Sequence, residues 1–224
     1  MAIELIQFEG NVNIGLYSAT TDQFSIISDI LPSKMKDSIS RVLKTEIISL
    51  TTDSTIIGAL IKANKSGIVL SSIISEKVEL EIKNLFPNLV INRFDFDYFA
   101  LGNLIVTTDK RTLIPPLIPK KSQKLISEVF DTEIITLQLN NSDLLGSLVT
   151  TNSLGAVISP LVEKEEEIEN LTDLLGLKKI EISTVNRGAH FPSSGIICNK
   201  TGALLGQNST GIETVAISNA LFPI

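Results

Sequence analysis

Cys198 is the only cysteine and His190 the only histidine in the 224 residues. A thiol becomes a strong nucleophile when a neighbouring base holds it as thiolate, and imidazole is a common base. The pair therefore offers one chemistry: thiolate attack on an electrophilic carbon. Their placement weighs against it. Both lie in one short segment, and Cys198 ends the apolar run Gly195-Ile196-Ile197-Cys198, where a small buried side chain is the plainer reading. A single cysteine excludes an internal disulfide and a four-cysteine zinc site. No metal and no cofactor is expected.

Two charged features suggest recognition instead. Arg187 is one of only four arginines, and its guanidinium suits either a phosphate or a carboxylate; a structural ion pair is the competing reading. The acidic run Glu163 to Glu169 (EKEEEIE) offers a docking surface for a basic partner. Carboxylates in the first turn of a helix are favoured by its dipole and face solvent, which is the simpler account. The formal net charge of −6 argues against a broad grip on nucleic acid through phosphates, which usually shows a basic excess.

These residues need a scaffold, and the spacing of glycines describes it. Gly15, Gly58, Gly102, Gly146 and Gly195 recur at steps of 43, 44, 44 and 49 residues. Each is set in an aliphatic strand-like run, followed by a polar turn and a second aliphatic run. The turns are Thr20-Thr21-Asp22, Asn64-Lys65-Ser66-Gly67, Thr108-Asp109-Lys110, Thr151-Asn152-Ser153 and Asn199-Lys200-Thr201-Gly202. Asn, Asp and Gly suit tight hairpins. A glycine at a repeated position marks either a bulge or a close backbone approach, and the recurrence favours close approach near a shared axis.

A helix follows each hairpin. Ser33 precedes Lys34 to Leu43, Ser75 caps the second helix, and Lys120 to Phe130 follows the rigid Pro115, Pro116 and Pro119 loop. Glu163 to Leu175 ends at Gly176, and Thr210-Gly211-Ile212-Glu213 is a capping box that opens a helix running to Ile224. Further strands are expected at Glu46 to Leu50, Leu89 to Arg93, Glu133 to Leu139 and Lys179 to Val185. The fifth unit lacks its own last strand, and Ile3 to Phe8 is a strand without a unit. Pairing the two closes a ring and leaves no open edge. The expected fold is an α/β (α+β) ring of five ββαβ units in one domain over residues 1–224. The units fall at approximately 8–52, 53–98, 99–140, 141–186 and 187–224, with strand 2–8 closing the last.

The stretch MAIELIQFEG is not a secretory signal, and no run approaches the roughly 18 apolar residues of a membrane span. A soluble, cytoplasmic monomer is expected.

Five ββαβ units in a ring form the pentein architecture, and within it the chain resembles archaeal and eukaryotic translation initiation factor 6. The matching residues are Asn13-Ile14-Gly15, Ala63-Asn64 with Gly67, Ala100-Leu101-Gly102-Asn103 and, most specifically, Thr184-Val185-Asn186-Arg187-Gly188. The likeness runs the whole chain. It departs from the pattern at Ser71-Ser72, where a proline is usual, and it lacks the polar C-terminal tail of eukaryotic members, as archaeal forms do.

The resemblance implies a factor that binds the large (50S) ribosomal subunit and blocks joining of the small (30S) subunit. Its partner would be chiefly a basic ribosomal protein near the sarcin–ricin loop, with limited contact to rRNA. Gly15, Asn64, Asn103, Asn186 and Arg187 are the implied contact residues, with the three asparagines expected near one face of the ring. Turn chemistry or packing between units is the alternative for each. The enzyme alternative is a guanidine-modifying hydrolase of the same architecture using Cys198 and His190. Those enzymes draw their histidine from a different unit than here, so no catalytic residues are expected.

Overall fold

The computed structural model describes residues 2–95 and 97–223. Alternating aliphatic residues form five three-stranded sheets. Each has an inner strand antiparallel to a middle strand, which runs parallel to an outer strand. In the first unit these are Ser18–Thr20, Phe24–Ser28 and Glu46–Leu50, with the helix Ser33–Leu43 between middle and outer strands. That helix buries Met35, Ile39, Val42 and Leu43, the spacing of one apolar stripe. The strand Ala2–Ile6 pairs in parallel with Gly202–Gly206 of the fifth unit, so the N-terminus closes the ring as expected.

The core runs from the interior of each unit across the joint to its neighbour. Five apolar clusters sit at the joints between neighbours. One joins Phe24, Ile26 and Leu50 to Ile57, Ile68 and Ile82, and another joins Ile14, Ile27 and Ile39 to Ile197 and Leu204. Each unit thus buries its two faces against two different partners, the arrangement that makes repeats depend on their neighbours.

The recurring glycines are not in strands. They lie in one-turn helices, Ile14–Tyr17, Ile57–Leu60, Leu101–Leu104 and Leu145–Leu148, each just before an inner strand. A turn of helix brings backbone to the axis more closely than a pleated strand carrying side chains on both faces. Close approach is the reason for glycine: a Cβ on Gly58 would stand 2.2 Å from the Gly15 carbonyl oxygen, and one on Gly102 2.0 Å from that of Gly58. The fifth unit differs. Its one-turn helix is Pro192–Gly195, and the oxygen that faces Gly15 belongs to Ser193, so Ser193 and not Gly195 holds the axial place. The Ser193 hydroxyl donates to the Ser147 carbonyl at 3.2 Å, which gives its extra atoms a partner.

Several element ends shift by a few residues. Pro32, not Ser33, is the N-cap of the first helix, and the fourth runs Glu165–Leu175. The outer strands expected to reach Leu139 and Val185 stop at Thr136 and Ile182, because the following residues turn towards the next unit. The last helix is Gly211–Leu221, with the Thr210–Glu213 capping box in place. Its expected end at Ile224 lies outside the described residues.

Candidate functional site

Strand direction gives the disk two distinct faces. One-turn helices, the loops leading into the long helices and the stretches between units gather on one, the loop face. Hairpin turns and long-helix C-termini gather on the other, the hairpin face.

The hairpin face is stitched by asparagines. Asn64 is 6% exposed, and its Nδ2 donates to the Phe130 carbonyl at 2.9 Å, the end of the next unit's helix. Its Oδ1 accepts from the backbone of Ser66 and Gly67. Asn152 donates in the same way to Leu221 at 2.7 Å, and Asn199 to Leu43 at 2.9 Å. Each is followed three residues later by a glycine that the same helix end crowds; a Cβ on Gly155 would meet the Ala220 oxygen at 1.8 Å. Asn64 therefore has a structural task, and it lies on the opposite face from Asn103 and Asn186, contrary to the shared face expected for the three.

At the centre of this face is a polar cavity of about 230 Å³. Lys200 spans it, with Nζ 3.0 Å from Asp22 and 2.5 Å from Asp109, tying the fifth unit to the first and third. Burial works against the Lys200 charge, but the two carboxylates outweigh it and raise its pKa. Exposed Lys65 lines the mouth of this cavity, and Lys44, Lys110 and Lys178 are exposed in turns and helix ends of the same face.

Cys198 reaches the axial space from the end of its inner strand. Burial pushes its thiol up to about 12, and the sulfur lies 3.8 Å from the Thr151 carbonyl oxygen. His190 is exposed in the stretch between the fourth and fifth units, on the loop face. The thiol is thus protonated at neutral pH and has no imidazole beside it.

The loop face has a different character. The residues capping three one-turn helices, Ile56, Leu144 and Phe191, are 39%, 42% and 40% exposed, and equivalence of the units puts them at matching places around the axis. Tyr98 and Phe99 between units, and Ile30 and Ile73 before the long helices, are exposed on the same side. The stretches between units hold Glu9, Asp53, Asp95, Asp97 and Asp143 against a single Arg187. Among the described residues none of these five carboxylates enters an ion pair.

Arg187 sits in a turn held with care. Asn186, Arg187 and Gly188 all have positive φ, and the buried Glu213 carboxylate fastens them. It accepts from the backbone N–H of Arg187 at 3.1 Å and Gly188 at 3.0 Å, and from the Thr184 hydroxyl at 2.6 Å. It also accepts from Thr210 N at 2.7 Å. Burial opposes its charge, but these donors prevail and lower its pKa to about 2. Asn186 is drawn into the frame as well, donating to the Val12 carbonyl at 3.0 Å. The Arg187 guanidinium is exposed and unpaired among the described residues, whereas Arg41, Arg93 and Arg111 all face glutamates. Asn103 lies in its one-turn helix beside the axis, its amide also without a partner among the described residues. Gly15 is committed to the axial ring.

The family profile of the eIF-6 family matches residues 3–220. This chain belongs to the eIF-6 family. Relatives named translation initiation factor 6 run its full length. That of Saccharolobus islandicus is 31% identical over 223 residues, 99% of this chain and 99% of the relative. That of Pyrobaculum aerophilum is 28% identical, covering 96% and 97%; that of Pyrococcus horikoshii is 28% identical, covering 99% and 99%. Membership places the chain among translation initiation factors, beside archaeal relatives. Among solved structures, a cyanobacterial arginine dihydrolase has a TM-score of 0.49 at 13% identity, covering 75% of this chain and 29% of that chain. A dimethylarginine dimethylaminohydrolase has a TM-score of 0.47 at 10% identity, covering 92% and 80%. Likeness at that distance says nothing about chemistry.

Sequence reasoning missed the apolar caps Ile56, Leu144 and Phe191. Their common offset from the repeating glycine or its counterpart was the available signal. Among the described residues no cluster of His, Cys, Asp and Glu could hold a metal, and no helix is long and apolar enough to cross a membrane.

Proposed function

We propose that this chain binds the large ribosomal subunit through its loop face, and that the bound disk keeps the small subunit from joining. The supporting observation is the pairing of exposed apolar caps with an excess of unpaired carboxylates on that one face. An apolar centre supplies most of the energy of a stable interface, and charge complementarity steers and orients the partner. An acidic rim suits a basic ribosomal protein. Arg187 and Asn103 are the polar contacts in this reading, with Arg187 free to meet a carboxylate or an rRNA phosphate. Gly15 and Asn186 contribute by holding that face in shape, and Asn64 by tying neighbouring units together on the opposite face.

The action is steric and needs no catalytic step. A rigid disk that buries about 800 Å² of its surface on the large subunit excludes a competitor from the same place. Co-sedimentation with isolated 50S subunits tests this, together with 30S joining measured by light scattering. We expect the protein to pellet with 50S, to stay in the supernatant with 30S alone, and to suppress joining in proportion to occupancy. Joining that proceeds unchanged at saturating protein would refute the proposal.

A further inference from the structure

The inner strands form the wall of an axial channel, and Lys62 is the one charged residue among them. The matching positions in the other units hold Ala19, Val106, Thr150 and Ile197, by the pairing of each with its middle strand. Lys62 lines a cavity of about 100 Å³ next to the ring of one-turn helices. That is room for several water-sized bodies at about 10–15 Å³ each, hence for a tetrahedral oxyanion.

Lys62 is half-buried, and its side chain borders the channel cavity. Among the described residues it makes no hydrogen bond and no ion pair. Burial lowers its pKa, and the ionisable group facing it, Cys198, is a neutral thiol at pH 7. Stripping part of the water from a charge without supplying a counter-charge is costly.

The other unused groups on this wall can donate. Thr150 Oγ1 is buried and unpartnered, and the Asn103 amide has no partner among the described residues. The remaining hydroxyls are spent within the protein: Ser18 pairs with Thr20 at 2.8 Å, and Thr151 donates to the Gly155 carbonyl at 2.9 Å. Lys62, Thr150 and Asn103 line the same cavity, with no carboxylate on its wall.

We propose that the axial channel is a binding site for a small inorganic oxyanion, centred on Lys62 with Thr150 and Asn103 as supporting donors. The anion supplies the counter-charge that the protein does not, and links the second, third and fourth units across the axis. Asn103 is shared with the proposed ribosomal surface, whereas Lys62 and Thr150 are not, so phosphate binding is read on the isolated chain and does not depend on 50S docking.

The test is calorimetric titration of orthophosphate into the full chain at pH 7, with gluconate holding ionic strength. We expect saturable binding at one site and a rise in Tm with phosphate. Loss of one charge-assisted contact is worth roughly tenfold or more, so Lys62→Met should weaken binding at least about tenfold while Lys62→Arg retains it. Thr150→Val should weaken it several-fold. Absence of saturable binding to the natural chain overturns the proposal. So does equal affinity in Lys62→Met, which would place phosphate on the exposed lysines of the hairpin face. If Lys62→Met fails to fold, Thr150→Val decides: unchanged affinity there also overturns it.

Discussion

The two faces of this disk come from one repeated unit and yet do opposite things with the same residue types. On the hairpin face, asparagine is buried and its amide reaches into the neighbouring helix end, as at Asn64, Asn152 and Asn199. On the loop face, the Asn103 amide has no partner among the described residues. Acids divide likewise. Asp22 and Asp109 share the Lys200 ammonium, while Glu9 and Asp53 stand without ion pairs among the described residues. Satisfied polar groups stabilise; unsatisfied ones are available to a partner. The hairpin face therefore reads as structure and the loop face as recognition.

The largest effect should come from breaking the axis that both faces share. Valine at Gly102 would drive its Cβ to 2.0 Å from the Gly58 carbonyl oxygen, against backbone that cannot yield. We expect Gly102→Val to cost about 3 kcal/mol or more, read by urea unfolding. Next comes the loop-face anchor. The Glu213 carboxyl is depressed from 4.5 to about 2, so its stabilisation is complete above pH 4.5 and is lost as pH falls towards 2. About 3 kcal/mol should disappear across that window, and Glu213→Gln should flatten the loss.

The comparison sharpens with a pair of smaller changes. Asn152→Ala leaves the Leu221 helix-end carbonyl, the Asn199 turn carbonyl and two turn N–H groups without their side-chain partner, and should lower stability by about 2 kcal/mol in denaturant. Its 50S affinity should stay the same. Asn103→Arg should do the reverse, weakening 50S binding about tenfold with little change in unfolding midpoint. A stability loss at Asn103, or a binding loss at Asn152, would erase the division between the faces.

Much of the fold was legible because its causes are local or periodic. The turn residues, the helix Lys120–Phe130 and the Thr210–Glu213 capping box follow from short-range chemistry. The unpaired strand at the N-terminus pointed to ring closure. The mistakes arose where tertiary contact decides. A glycine among aliphatic residues reads equally as strand or as one-turn helix, and only the neighbouring unit's carbonyl distinguishes them. Ser193 replaces glycine at the axis because its hydroxyl finds the Ser147 carbonyl across a joint between units. Asn64 and Asn103 look alike in sequence; one faces a helix end from the next unit and the other does not. The spacing of the Thr184–Gly188 stretch gave no hint that Glu213 holds it, because the two are joined only by folding.

The central claim is that the loop face docks on the large subunit and the hairpin face does not. Co-sedimentation with 50S subunits across two matched double variants tests it directly. Leu144→Asp with Phe191→Asp alters the loop face, and Lys65→Glu with Lys110→Glu alters the hairpin face; all four side chains are exposed, so the fold should survive. The loop-face pair should weaken binding by about tenfold to a hundredfold, and the hairpin-face pair by less than about twofold. Loss of binding in the hairpin-face pair, with the loop-face pair unaffected, would contradict the account.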